Sequence, residues 1–437
     1  MSPMTTTTAA PHLDTGDTAW LLAATALVLL MTPGLALFYG GMVRTKSVLN
    51  MLLMSFVSIA LVTVVWLLAG YSLAFGDDVF AGLIGGLGHL GMAGIGPTTL
   101  TGSVPTLLFT TFQLTFAIIT AALISGAVAD RTRFGAWVVF VPVWTLLVYV
   151  PVAHWVWGPG GWIANALGAL DFAGGLVVEI ASGASGLALC LVLGPRIGFR
   201  KEAMRPHNLP MVLMGAGLLW FGWLGFNGGS ALGANGLAAA SLLNTLVAGG
   251  TGLLGWLFVE QRRDGHPTTF GAASGAVAGL VAITPSCGVV DILGAAVTGL
   301  AAGVVCSYAV AWKFRLGYDD SLDVVGVHLV GGVVGTLLIG LFATATMTTG
   351  GQEGLFHGGG LAQLGKQALA VLAVAAYTFT VTYALGRAVD RLLTFRASAE
   401  DEVTGLDQTQ HAESAYDHGV LTSPVGSASV KKGSTVA

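Results

Sequence analysis

Apolar runs long enough to cross a bilayer follow one another along almost the whole chain, separated by short turns that hold the polar and basic residues. A helix rises about 1.5 Å per residue, so about 20 apolar residues span a hydrocarbon core of about 30 Å. The pattern predicts eleven helices, near residues 18–42, 48–75, 104–129, 134–153, 171–194, 209–228, 235–260, 268–285, 290–312, 322–346 and 362–391. The fold class is an all-α polytopic membrane protein.

Composition agrees with that reading and narrows it. With 54% hydrophobic and 9% charged residues and a mean hydropathy of +0.80, the chain is not an ordinary water-soluble domain. Its net charge of -4 argues against a nucleic-acid partner. Every Lys and Arg except Lys366 falls on one side if the amino terminus lies outside: Arg44 and Lys46, Arg131 and Arg133, Arg196 to Arg205, Arg262 and Arg263, Lys313 and Arg315, Arg387 to Arg396, and Lys431 and Lys432. The positive-inside rule then sets the amino terminus out and the carboxyl terminus in, as a multi-pass protein of the cell membrane. The first apolar run follows Asp14 and Asp17 instead of a basic stretch and is too long for a signal core, so it reads as a retained helix. Residues 1–17 become an extracytoplasmic segment, 18–391 the eleven-helix domain and 392–437 a cytoplasmic regulatory tail. Cys190, Cys287 and Cys306 have no metal or redox spacing and read as packing residues.

Four ionisable residues break the apolar pattern in a mirrored way. Asp171 stands eight residues before Glu179 in DFAGGLVVE, and Asp320 eight before His328 in DSLDVVGVH. A charge at mid-helix costs roughly 2.5 to 3.5 kcal/mol on insertion, so such residues are functional by default. The fifth helix runs inward and the tenth outward, which puts Glu179 and His328 each about 12 Å from its Asp and both near the midplane. Opposite directions with equal spacing point to an inverted repeat of five plus five helices, with half-repeats about 18–194 and 209–346 and an eleventh helix, 362–391, outside the symmetry.

TPGLALFYGGMVR, FQLTFA, DFAGG, WFGWLGFNGGSA and DDSLDVVGVHLVGG, with GLDQTQHAESAYD in the tail, resemble the signature stretches of the ammonium transporter (Amt/Mep/Rh) family, specifically its bacterial Amt branch. The resemblance implies a homotrimer of protomers with separate pores. It places an outer ammonium-recruitment site at Phe112, Trp157 and Ser230 with Asp171 near its base, and a stacked gate at Phe116 and Phe226. Trp223, Glu179 and His328 would line the pore and relay protons. The family pattern commonly has His where this chain has Glu179, so a carboxyl replaces the first of two pore imidazoles. The resemblance also implies a tail that clasps a neighbouring subunit and a PII-type regulatory protein at the cytoplasmic face.

Physical chemistry supports these roles. An aromatic cage attracts a cation with about 0.5 to 2 kcal/mol, and a hydroxyl accepts a hydrogen bond from it. Selection against potassium follows if the ion must surrender a proton before crossing an apolar constriction. Asp171 at a helix start reads as a cap on backbone N–H groups. Asp319, Asp320 and Asp323 read as caps and structural hydrogen-bonders, and the remaining histidines have no partner spacing. No phosphate loop, zinc spacing or nucleophile with a base is present, so no enzyme activity, cofactor or metal is expected. An electroneutral Rh-like channel for ammonia or carbon dioxide and an ammonium sensor are the alternatives. The Amt-type motifs disfavour the first, and a chain that ends without a signalling domain disfavours the second.

Overall fold

The computed structural model describes residues 12–348 and 350–416. The parts of the predicted terminal segments at 1–11 and 417–437, with Lys431 and Lys432, lie outside the described residues. Among the described residues the main helices are α1 (Thr15–Met42), α2 (Thr45–Phe75), α3 (Thr106–Val128), α4 (Phe134–Trp157), α5 (Gly175–Leu193), α6 (Leu209–Gly229), α7 (Gly236–Arg263), α8 (Thr269–Ile283), α9 (Ile292–Leu316), α10 (Val325–Phe342) and α11 (Ala362–Leu393). Among the described residues, ten of these are long and apolar enough to cross a membrane. The exception is α8, with 15 residues. It is buried along nearly all of its length, and the turns at 284–290 that follow it are buried as well.

Predicted boundaries shift by up to four residues, and two of the largest shifts flank one break. The fourth helix continues to Trp157, and the fifth starts at Gly175 instead of 171. Between them Gly168 takes φ +72° and Gly174 φ +123°, conformations that only glycine adopts freely, and the chain turns back before α5 can begin. Apolar residues flank Gly174 on both sides, so hydropathy alone starts the fifth helix four residues early.

Helices meet through small residues, as expected where lipid offers no hydrophobic drive for helix association. A Cβ at Gly215 of α6 would run into the Phe38 backbone of α1, and one at Gly335 of α10 would run into Ala282. Gly252 of α7 lies against Gly275 and Gly279 of α8 in the same way.

A buried ionic network closes the end of the bundle that carries the tail. Arg196 grips Asp319 with two side-chain bonds, Nε to Oδ2 at 2.9 Å and Nη2 to Oδ1 at 2.8 Å, and donates its main-chain N–H to Oδ2 at 2.7 Å. Asp130 receives Arg196 Nη1 at 3.2 Å and Arg44 Nε at 3.1 Å. Arg131 donates to the Asp319 carbonyl at 2.6 Å. The tail helices α12 (Ala399–Thr404) and α13 (Leu406–His411) seat on the same chain. Glu402 accepts from Ile197 N–H at 2.6 Å and Arg396 at 3.0 Å, and Asp407 accepts the Asn50 N–H at 2.8 Å.

Burial alone would raise the Asp319 pKa, but its Arg196 hydrogen bonds and the charge of Arg131 hold it down to about 2. Its stabilising share is therefore complete above the unfolded value of 3.8 and is lost as pH falls through about 2. Asp319→Asn leaves two guanidinium groups facing a neutral amide and costs about 3 to 5 kcal/mol at neutral pH. The gap in melting temperature between wild type and this variant is widest at neutral pH and narrows below about pH 4.

Candidate functional site

Phe116 of α3 and Phe226 of α6 stack with ring centroids 4.0 Å apart at 25°, and both are buried. On one side of the pair opens a cavity of about 320 Å³ whose walls include Phe75, Phe109, Gln113, Trp157, Phe172 and Ser230. Trp157 stands edge-on to Phe116 at 5.9 Å. Its indole N–H donates to the Asp171 main-chain carbonyl at 3.0 Å, which fixes the ring. Ser230 donates its hydroxyl to the Phe226 carbonyl at 2.8 Å, which leaves its oxygen lone pairs for an incoming donor. Phe112 packs against Phe116 at 4.8 Å and against Gly229, one layer behind the cavity wall.

Gln113 lines this cavity and was missed in the sequence. Its Oε1 is buried and has no hydrogen-bond partner among the described residues. A lone carboxamide within an otherwise apolar span was the available signal.

Asp171 is not a free charge. Its Oδ1 accepts from the N–H groups of Gly174 and Gly175, both at 2.7 Å, and its Oδ2 from Leu176 at 2.7 Å and Val177 at 3.3 Å. The carboxylate thereby satisfies the start of α5, while its carbonyl holds Trp157. Asp320 repeats the arrangement at α10, where it accepts from Val324 at 3.1 Å and Val325 at 2.7 Å. Each helix then opens with a π turn, Gly175–Ile180 in α5 and Val325–Leu329 in α10, and these turns carry Glu179 and His328. Such widened turns recur at functional sites because they re-aim side chains off the regular helical face.

Behind the stacked phenylalanines lies a narrow, mostly apolar cavity of about 10 Å³, walled by Phe226, Trp223, Ile119, Val178, Glu179 and His328 among others. Glu179 and His328 are joined in its wall, with Nδ1 to Oε2 at 2.6 Å and both residues almost fully buried. Among the described residues, no protein group hydrogen-bonds Glu179 Oε1 or His328 Nε2. Trp223 spends its N–H on Thr284 Oγ1 at 2.7 Å and presents only carbon to the cavity. A second cavity of about 10 Å³ shares Phe38, Val277 and His328 with the first and continues toward Asp323 at the tail end.

The residues predicted to be structural have structural partners. Asp323 pairs with Lys313 at 2.5 Å, and His154 is held between the Ala74 carbonyl at 2.9 Å and Asp78 at 3.3 Å. Among the described residues, no cluster of His, Cys, Asp and Glu has the makings of a metal site.

Residues 19–416 match the family model for the Ammonium Transporter Family. The chain is 54% identical to an ammonium transporter of Mycobacterium tuberculosis, over 94% of this chain and 92% of the relative. Among solved structures, Mep2 of Saccharomyces cerevisiae superposes with a TM-score of 0.84 at 37% identity, covering 89% of both chains. A sensor Amt protein superposes with a TM-score of 0.83 at 29% identity, over 91% of this chain and 98% of that one. With the family model covering most of its length, and with its apolar helices, this multi-pass membrane protein belongs to the ammonium transporter family.

Proposed function

We propose that this protein transports ammonium by binding the cation at the Trp157 cavity, taking a proton from it behind the Phe116–Phe226 pair, and passing ammonia and proton separately along the apolar lumen. The hydrogen-bonded Glu179–His328 pair, standing in the lumen wall with an unspent atom on each side chain, carries this reading. In the vestibule, Trp157 and the neighbouring phenylalanines replace hydration by cation–π attraction, and Ser230 and Gln113 offer oxygen lone pairs. The lumen has no such cage, so the ion crosses as neutral ammonia. The proton it leaves behind is held between Glu179 and His328, in the hydrogen bond that joins them. Ammonia regains a proton beyond the second cavity. Potassium has no proton to leave and stops at the vestibule.

The same proposal includes eleven membrane crossings, with the buried α8 as the shortest, and a five-plus-five inverted repeat. The matching Asp caps and π turns of α5 and α10 support the repeat. The basic residues gathered at the tail end support an amino terminus outside. The domain limits 18–391 and 392–437, the homotrimer and a PII-type partner at the tail face complete it. Native mass measurement tests the trimer, and a pull-down under varied nucleotide conditions tests the PII partner. An electroneutral channel needs no proton relay, and the hydrogen-bonded Glu179–His328 pair favours charge movement over it.

Trp157→Leu tests the recruitment site. It removes the cation–π partner, and the half-saturating ammonium concentration of the transport current rises about tenfold while the maximal current stays within about twofold. An unchanged half-saturation places recruitment elsewhere.

A further inference from the structure

The irregular stretch between α4 and α5 is tied down residue by residue, and its strongest tie comes from the eleventh helix, which stands outside the proposed repeat. Gln367 of α11, fully buried, accepts the Leu170 N–H on Oε1 at 2.7 Å and donates from Nε2 to the Leu170 carbonyl at 2.7 Å. The carboxamide thus grips both main-chain groups of one residue, as a neighbouring strand would. Gln363, one turn earlier, donates to Gln367 Oε1 at 3.0 Å and to the Gly168 carbonyl at 3.3 Å. Gln367 Nε2 also reaches the Thr336 carbonyl of α10 at 3.3 Å. The main-chain partners dictate which end of each amide is oxygen.

What adjoins Leu170 gives the grip its consequence. The next residue, Asp171, holds the Trp157 indole on its carbonyl and caps α5 with its carboxylate. The one after, Phe172, ties its N–H to the Pro285 carbonyl at 3.0 Å and lines the vestibule. Without Gln367, the N–H and C=O of Leu170 have no partner from α11, and the Asp171 carbonyl loses its fixed place. We propose that Gln367 is a positioning residue for ammonium recruitment: through Leu170 and Asp171 it holds Trp157 in the vestibule wall, so α11 sets affinity without touching the ion. The inference rests on the reading of the Trp157 cavity as the recruitment site.

The test is a titration of ammonium-jump currents from full-length protein in liposomes, for wild type, Gln367→Met, Gln363→Ala, Trp157→Leu, the Gln367→Met/Trp157→Leu double variant and Thr378→Ala. Met keeps the length of Gln and makes none of its hydrogen bonds. Thr378 is equally buried on α11 but bonds only within its own helix, so its variant reports the effect of losing a buried polar group there. Gln367→Met raises the half-saturating ammonium concentration about fivefold with maximal current within about twofold. The double variant shifts no further than Trp157→Leu alone, because both changes act through one ring. Thr378→Ala leaves half-saturation at the wild-type value.

If Gln367→Met does not assemble, Gln363→Ala decides: a smaller shift in the same direction supports the clamp, and none overturns it. A lower maximal current with unchanged half-saturation in Gln367→Met, or a shift equalled by Thr378→Ala, overturns the clamp while leaving the recruitment site intact if Trp157→Leu still moves half-saturation. Unchanged half-saturation in Trp157→Leu removes the recruitment reading and the clamp together.

Discussion

Glu179→Gln lowers the maximal ammonium current by about a hundredfold or more, the range expected when a positioned proton carrier is lost. The amide keeps the length and shape of the carboxyl and still accepts a hydrogen bond from His328 Nδ1, so packing and expression change little. It takes up no proton, however, so the pair keeps one proton carrier instead of two. Glu179→His restores a proton carrier at the same π turn and retains a measurable current. Solid-supported membrane recordings of both variants check the pair of expectations. Equal loss in the two would mean that shape, and not proton capacity, matters at this position.

Asp171→Asn acts on stability first. Four backbone N–H groups point at the carboxylate, and an amide offers them one oxygen while turning its own N–H₂ toward the rest. Hydrogen bonds to a charged group contribute about 1.5 to 3 kcal/mol each, so loss of even two of the four costs about 3 kcal/mol or more and unseats the Trp157 anchor with them. The expected result is a large fall in melting temperature in detergent and little assembled protein, with transport lost in the fraction that remains. A direct ligand role for the carboxylate predicts the opposite split: unchanged stability and a raised half-saturation. Thermal unfolding followed by size-exclusion fluorescence separates the two.

The mirrored spacing of Asp171, Glu179, Asp320 and His328 made the central pair legible before any coordinates, because few ionisable residues tolerate apolar surroundings without a partner. Hydropathy placed the helices to within four residues and started the fifth too early because Gly174 breaks its predicted first turn. That break keeps apolar side chains while changing φ, which a hydropathy pattern does not register. The π turns beneath Glu179 and His328 are likewise invisible in sequence, since they shift hydrogen bonds by one residue without changing composition.

The grips of Gln367 on Leu170 and of Arg196 on Asp319 join residues about 200 and 120 positions apart. Each reads in sequence as an isolated polar residue, and only the packing of α10 and α11 against the α4–α5 turn, or of the basic loop against the start of α10, supplies its partner. Phe112 is the reverse case. The motif singled it out among aromatic residues of one helix, and the structure seats it behind Phe116.

The most direct measurement is the transient current of wild-type protein in liposomes after an ammonium jump, recorded beside the internal pH and repeated with potassium. The proposed mechanism predicts a positive charge moving inward with ammonium and none with potassium, since only ammonium leaves a proton for the Glu179–His328 pair to carry. Internal alkalinisation without any current, or a current of similar size with potassium, would contradict it.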